Sequence, residues 1–234
     1  MLDQAFDALK TYDWGADPNV LKPISDAAIS TREDAAARAE LESRLAELLK
    51  ADVPRAAKDY VCRHLMLIGT SASVPALAEL LPQAELSHMA RYALERNPAP
   101  EAAQALRDAL PKLAGPLQLG VIASLASRGD AASIPGLAGL LGSSEAAVAA
   151  AAAAALGAIR SPEAAHALTQ SRPTAPEARL AATDALLACA EQLLAGGKKA
   201  EALVIYKGLA GEDQAKHVRL AATRGMLACA GQGQ

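Results

Sequence analysis

Apolar positions in this chain recur at helical spacing, in short blocks separated by proline, glycine and serine. In the block from Val148 to Ile159, the residues Val148, Ala152, Leu156 and Ile159 fall at i, i+4, i+8 and i+11, one stripe of a helix. Val61, Leu65 and Ile68 make the same stripe earlier, and Met89 with Ala93 and Val121 with Leu125 follow it. Leu180, Thr183, Leu187, Ala190 and Leu194 predict a longer one. Alternation of Val, Ile, Thr and aromatics with polar residues is nearly absent, so the pattern predicts an all-α protein.

The breaks between blocks have helix-end chemistry. Pro75, Pro100, Pro135 and Pro162 stand where a first helical turn tolerates a missing N–H. Ser73, Ser133 and Ser161 precede helices as expected N-caps, and Asp17-Pro18 is expected to open another. Gly69, Gly129 and the Gly196-Gly197 pair are expected to end helices in the left-handed conformation.

The blocks also repeat. Arg179-Leu-Ala-Ala-Thr-Asp-Ala-Leu-Leu-Ala-Cys-Ala190 returns as Arg219-Leu-Ala-Ala-Thr-Arg-Gly-Met-Leu-Ala-Cys-Ala230. Ser73-Val-Pro-Ala-Leu-Ala-Glu-Leu-Leu81 returns as Ser133-Ile-Pro-Gly-Leu-Ala-Gly-Leu-Leu141, and Pro100-Glu-Ala-Ala-Gln-Ala-Leu106 as Pro162-Glu-Ala-Ala-His-Ala-Leu168. The spacing gives a unit of roughly 30 to 40 residues, the size of a two-helix repeat. A lone pair cannot bury apolar stripes on both sides, and stacked neighbours can. The expected organisation is two N-terminal capping helices within 1–32, near 3–12 and 18–30, then one continuous array over 33–234. About six antiparallel helix pairs are expected, near 33–70, 73–97, 99–129, 131–160, 161–196 and 197–231.

Composition narrows the function. The net charge of −3 opposes bulk neutralisation of a phosphate backbone, so no nucleic-acid partner is expected. One Phe, one Trp and four Tyr leave little to stack on bases or sugars. The longest apolar stretch, Ala146 to Ile159, falls short of the about 20 residues that span a bilayer, so no membrane insertion is expected. Nothing near Met1 reads as a signal peptide. The expectation is a soluble chain, cytoplasmic by default, or exported if it is part of a larger exported protein. Cys62, Cys189 and Cys229 are an odd number without metal spacing.

Val-x-x-Ala-Ala-Ala-x-Ala-Leu-Gly-x-Ile followed by Ser-Pro-Glu-Ala-x-x-Ala-Leu, best seen over residues 145–168, resembles the HEAT repeat, especially its short bacterial form. The resemblance extends over most of 54–231. It implies a right-handed α-solenoid with first helices on the convex side and second helices lining the concave side. The Asp-x-x-Val-Arg opening of many HEAT second helices survives in part, as Glu177-Ala-Arg179 and His217-Val-Arg219. Gly197-Lys-Lys-Ala-Glu-Ala-Leu-Val-Ile-Tyr206 is similar to a tetratricopeptide-repeat helix. The whole chain also resembles the HEAT portion of multidomain bacterial proteins that carry sugar-processing or redox domains, which would make neighbouring domains of a parent protein its partners.

Candidate chemistry is sparse. His64, His88, His166 and His217 are scattered, and no pair has metal-ligand spacing, so no metal site and no cofactor are expected. Catalytic residues are not expected either, since neither a serine elbow nor a phosphate loop is present. Cys189 and Cys229 read as small core hydrophobes, and Glu40, Glu42 and Glu47 beside Arg38 and Arg44 as a solvated face. Trp14, in the loop Tyr12-Asp-Trp-Gly-Ala-Asp-Pro18, reads either as an aromatic anchor for a partner or as a cap packed on the first repeat. Polar residues on second helices would form the concave face: His64, His88, Arg91, Tyr92, Arg179, Asp184, Arg219 and Arg224, with Arg63 and Gln118. The expected function is a non-catalytic protein-interaction or scaffold module that binds a protein partner there. The alternatives are a structural spacer in a larger protein, and a HEAT-type enzyme or lyase subunit.

Overall fold

The computed structural model describes residues 1–171 and 173–231, with the Arg32 side chain outside the description. The last residues of the expected array, 232–234, lie outside the described residues. Among the described residues the regular structure is entirely helical. The chain divides into two compact units, Met1–Ser124 and Leu125–Gln234.

The first unit opens with α1 (Leu2–Leu9) and α2 (Lys22–Ser30), joined through a 3-10 turn at Pro18–Leu21. Asp17 caps that turn by accepting the Asn19 N–H at 3.0 Å. Pairs follow: α3 (Ala35–Lys50) with α4 (Arg55–Ile68), α5 (Val74–Ala78) with α6 (Ser87–Arg96), and α7 (Pro100–Ala109) with α8 (Gly115–Arg128), whose last turn, from Leu125, is counted with the second unit. First helices stack in order, α3 on α5 on α7, while α4 stacks on α6. The second unit holds α9 (Ile134–Leu140) with α10 (Ala146–Ile159), α11 (Pro162–Gln170) with α12 (Pro176–Ala195), and α13 (Lys199–Leu209) with α14 (Lys216–Gly231). There α9 packs on α11, and α10 on α12 on α14. Within each unit, stacking of like on like is the arrangement that the repeated stripes predict, and the described residues form an all-α fold of solenoid type.

The stripe of α4 is the one expected, with Val61, Leu65 and Ile68 buried, and in α10 Val148, Ala152 and Leu156 are buried while Ile159, at the helix end, is half-buried. The stripe of α12 differs. It runs through Ala178, Ala182, Ala185, Cys189, Ala190 and Leu193, so Ala190 holds its expected place while Thr183, Leu187 and Leu194 are half-buried and Leu180 is exposed. Close approach is the reason: a Cβ on Gly157 of α10 would stand 2.6 Å from the Ala185 Cβ and 2.7 Å from its Cα. Small residues let two helices meet almost backbone to backbone, and leucines at that seam would hold them apart.

Helix ends correct three expectations. Gly69 is extended at φ −62, and is glycine because a Cβ there would meet the Leu65 carbonyl at 2.4 Å. Gly129 and Gly197 do take positive φ, and Arg160 takes the left-handed position at the end of α10. Of the three serines, Ser161 alone caps by its side chain, accepting the Ala164 N–H at 3.1 Å. Ser73 and Ser133 instead donate backward, to the carbonyls of Thr70 (3.2 Å) and Asp130 (2.6 Å), each in a 3-10 turn that precedes the helix.

The face expected to be solvated on α3 is partly internal. Glu42 is buried, and its carboxylate accepts the Thr70 N–H at 2.6 Å, the Ser73 N–H at 3.0 Å and the Thr70 hydroxyl at 2.8 Å. Asn97, also buried, donates to the Thr70 carbonyl at 2.8 Å and accepts the Ala99 N–H at 2.9 Å. One polar network therefore ties α3 to the turns before α5 and α7. Arg44 lies 3.9 Å over the Phe6 ring and donates to Asp3 at 2.8 Å, holding α1 against α3.

Candidate partner-binding surface

On α6 the buried residues Ala90, Ala93, Leu94 and Asn97 face inward, so the stripe His88, Tyr92 and Arg96 points to solvent at i, i+4, i+8. The His88 and Tyr92 rings stack with centroids 6.3 Å apart, and the Arg96 guanidinium lies 6.0 Å from the Tyr92 centroid. On neighbouring α4 the matching outward positions are Arg63 and Leu67, the latter 62% exposed. On α8 the matching position is Ala123, also exposed.

Arg91 turns sideways from this stripe. Its Nη1 donates to the Gly120 carbonyl at 3.0 Å and to the Ser124 hydroxyl at 3.1 Å, and its Nη2 lies 3.4 Å from His88 Nδ1. Ser124 donates in turn to Glu95 at 2.6 Å. Gly120 makes this possible, since a Cβ there would sit 2.5 Å from the Arg91 Cζ. Half-burial pulls the Arg91 guanidinium below its ordinary pKa, opposed by the charge of Glu95. Arg91 is thus a staple between α6 and α8, and its Nε is buried without a partner among the described residues.

His64 is not on an open face. It is buried, with Nδ1 2.9 Å from the Tyr60 carbonyl and Nε2 3.0 Å from the Ser25 hydroxyl of α2. A carbonyl neighbour requires the proton on Nδ1, which leaves Nε2 to accept from Ser25. The Tyr60 hydroxyl lies 2.9 Å from the same Ser25 oxygen and donates to the Leu21 carbonyl at 2.9 Å. Burial lowers the His64 pKa, partly offset by its Tyr60 hydrogen bond. The cluster is the joint between α2 and α4. Trp14 does not pack as a cap: it is 65% exposed, while Tyr12 sits 6.3 Å from the Tyr60 ring.

The remaining expected residues lie in the second unit. Arg179 and Asp184 are exposed on α12, and Arg179 Nη1 donates to the Thr174 carbonyl. Arg219 is half-buried and Arg224 exposed on α14. An apolar groove of about 610 Å³ in this unit, lined by Leu180, Leu186, Val204 and Ile205 with Arg179 and Asp213, escaped sequence reasoning. So did Arg96 and Leu67, although the i+4 spacing from His88 through Tyr92 carries the signal for Arg96. Burial pushes the Cys62 thiol up to about 12 and Cys189 to about 11, so both stay protonated and unreactive near neutrality. Cys229 is half-buried. Among the described residues no group of three His, Cys, Asp or Glu is placed to hold a metal ion, and no helix is long and apolar enough to cross a membrane.

Residues 114–187 match the family model for HEAT repeats. That stretch runs from α8 into α12, contains the segment of strongest resemblance, and is shorter than the span of 54–231 read from the sequence. No curated protein matches the chain. Among solved structures, the chain is similar to an engineered protein at 20% identity and TM-score 0.45, covering 98% of this chain and 68% of that one. It is also similar to human deoxyhypusine hydroxylase in complex with glycerol, at 17% identity and TM-score 0.41, covering 98% and 96%.

Proposed function

We propose that the chain is a protein-interaction scaffold that works by binding rather than turnover, and that in its first unit the docking surface is the outward face of α4, α6 and α8. One observation carries this reading. Adjacent stacked helices present Arg63 and Leu67 beside His88, Tyr92 and Arg96, a row of arginine and aromatic side chains of the kind that dominates interface energies. The stacked helix pairs behind it supply a frame, and extended faces of such arrays suit elongated partners. Arg91 is excluded from the contact set because α8 already engages it.

The test is affinity capture from native lysate with the wild-type chain and with a Tyr92→Ala, Arg96→Ala double variant. Both positions are exposed, so the variant keeps the fold. A protein retained by the wild type and lost from the variant supports the reading. Equal retention by both moves the contact elsewhere.

A further inference from the structure

We propose that the partner segment held by this face is acidic, its carboxylates meeting Arg63 and Arg96 and its apolar side chains lying on Leu67 and Tyr92. This rests on the docking surface above and adds the chemistry of its occupant.

Charge is sorted across this face by depth. Its two carboxylates point inward: Asp59 is buried and accepts from Arg63 Nη2 at 2.7 Å, and Glu95 is half-buried and accepts the Ser124 hydroxyl. Arg63 and Arg96 point outward, while Arg91 is engaged by α8. The Arg63 side chain is 58% exposed although it serves Asp59, and a guanidinium has five N–H donors, which leaves several for a second carboxylate. Arg96 is exposed at the end of the His88-Tyr92-Arg96 stripe. A locally cationic surface in a chain of net charge −3 is a segregation of charge. It complements an anionic ligand and repels a basic one. Leu67 and the 39% exposed Tyr92 add apolar area that a protein segment can cover and a phosphate backbone cannot.

Fluorescence anisotropy on the full chain decides the matter, with three labelled probes: a peptide of Glu-Glu-Leu triplets, one of Lys-Lys-Leu triplets, and a single-stranded oligonucleotide. The acidic peptide is expected to bind and to weaken as salt is raised. Arg63→Glu with Arg96→Glu, or Tyr92→Ala alone, is expected to weaken it about tenfold or more. Lys112→Glu, placed after α7, is expected to leave it unchanged. Equal binding of both peptides, tighter binding of the oligonucleotide, or indifference to reversal at Arg63 and Arg96 would overturn the proposal. If neither peptide binds while a lysate protein is still lost from the Tyr92→Ala, Arg96→Ala variant, the acidic assignment fails and the docking surface stands.

Discussion

Two buried polar side chains show how single residues hold this fold together. Glu42 satisfies two backbone N–H groups and a hydroxyl in the turn before α5. Replacing it with Ala leaves those donors without their acceptor, the Ser73 N–H in a buried position, and is expected to cost about 3 kcal/mol, read by urea denaturation. A change under about 0.5 kcal/mol would mean that the turn finds other acceptors. His64 makes stability depend on pH. Its folded pKa lies below its ordinary value of 6.5, so the folded state prefers the neutral ring. The unfolded chain then binds the proton more readily, and this contribution is full above about pH 6.5 and is lost as the pH falls through the lowered folded pKa. Thermal melts at about pH 7.5 and about pH 5 should show a smaller drop for His64→Gln than for the wild type. Parallel drops in both proteins would place the titration on other groups.

Neither residue was legible as buried. A glutamate among Glu40, Arg44 and Glu47 has the composition of a solvated face, yet Leu41 and Leu45 put Glu42 on the inner stripe. His64 follows Val61 at i+3 and adjoins Leu65, and its partner Ser25 is 39 residues away, beyond any local pattern.

Among the helices, α10 and α12 carry the tightest seam. Gly157→Ala drives a Cβ into the Ala185 backbone, which a flexible side chain could evade and a helix cannot. Against a gain of about 1 kcal/mol in helix propensity, overpacking should still leave the variant less stable, by about 1–2 kcal/mol in a thermal melt. Gly120→Ala is the control. The atoms in its way are the tip of Arg91, so the same gain in propensity offsets a lost staple, and the melt should shift little. Leu156→Ala, at a fully buried position, should cost about 2–5 kcal/mol. Helix positions and pair order could be read in advance because Pro, Gly and the apolar period act within a few residues. Which face of α12 turns inward could not. Both an alanine and a leucine stripe satisfy a helical period, and only the proximity of α10 selects the alanines.

At the scale of the whole chain, each of the two units is a stack of helix pairs, and such a stack passes stress to neighbouring repeats rather than through one shared core. Glu42→Ala should therefore speed hydrogen exchange in α3, in the turn before α5 and in α5 more than in α7. Uniform acceleration over the first unit would show that the unit opens as one body.

Local chemistry written along the chain was enough to specify helices, their order, their pairing into repeats and the absence of strand pattern. Those properties depend on backbone torsion and on burial periods of a few residues, which each segment carries itself. Tertiary packing alone decided that Arg91 staples α8, that His64 and Glu42 lie inside, that Trp14 stands in solvent, and that Tyr92 and Arg96 are exposed. A side chain's exposure depends on how closely a second helix approaches, and that distance is set by residues far away in the chain, such as Gly120 for Arg91 and Gly157 for Ala185.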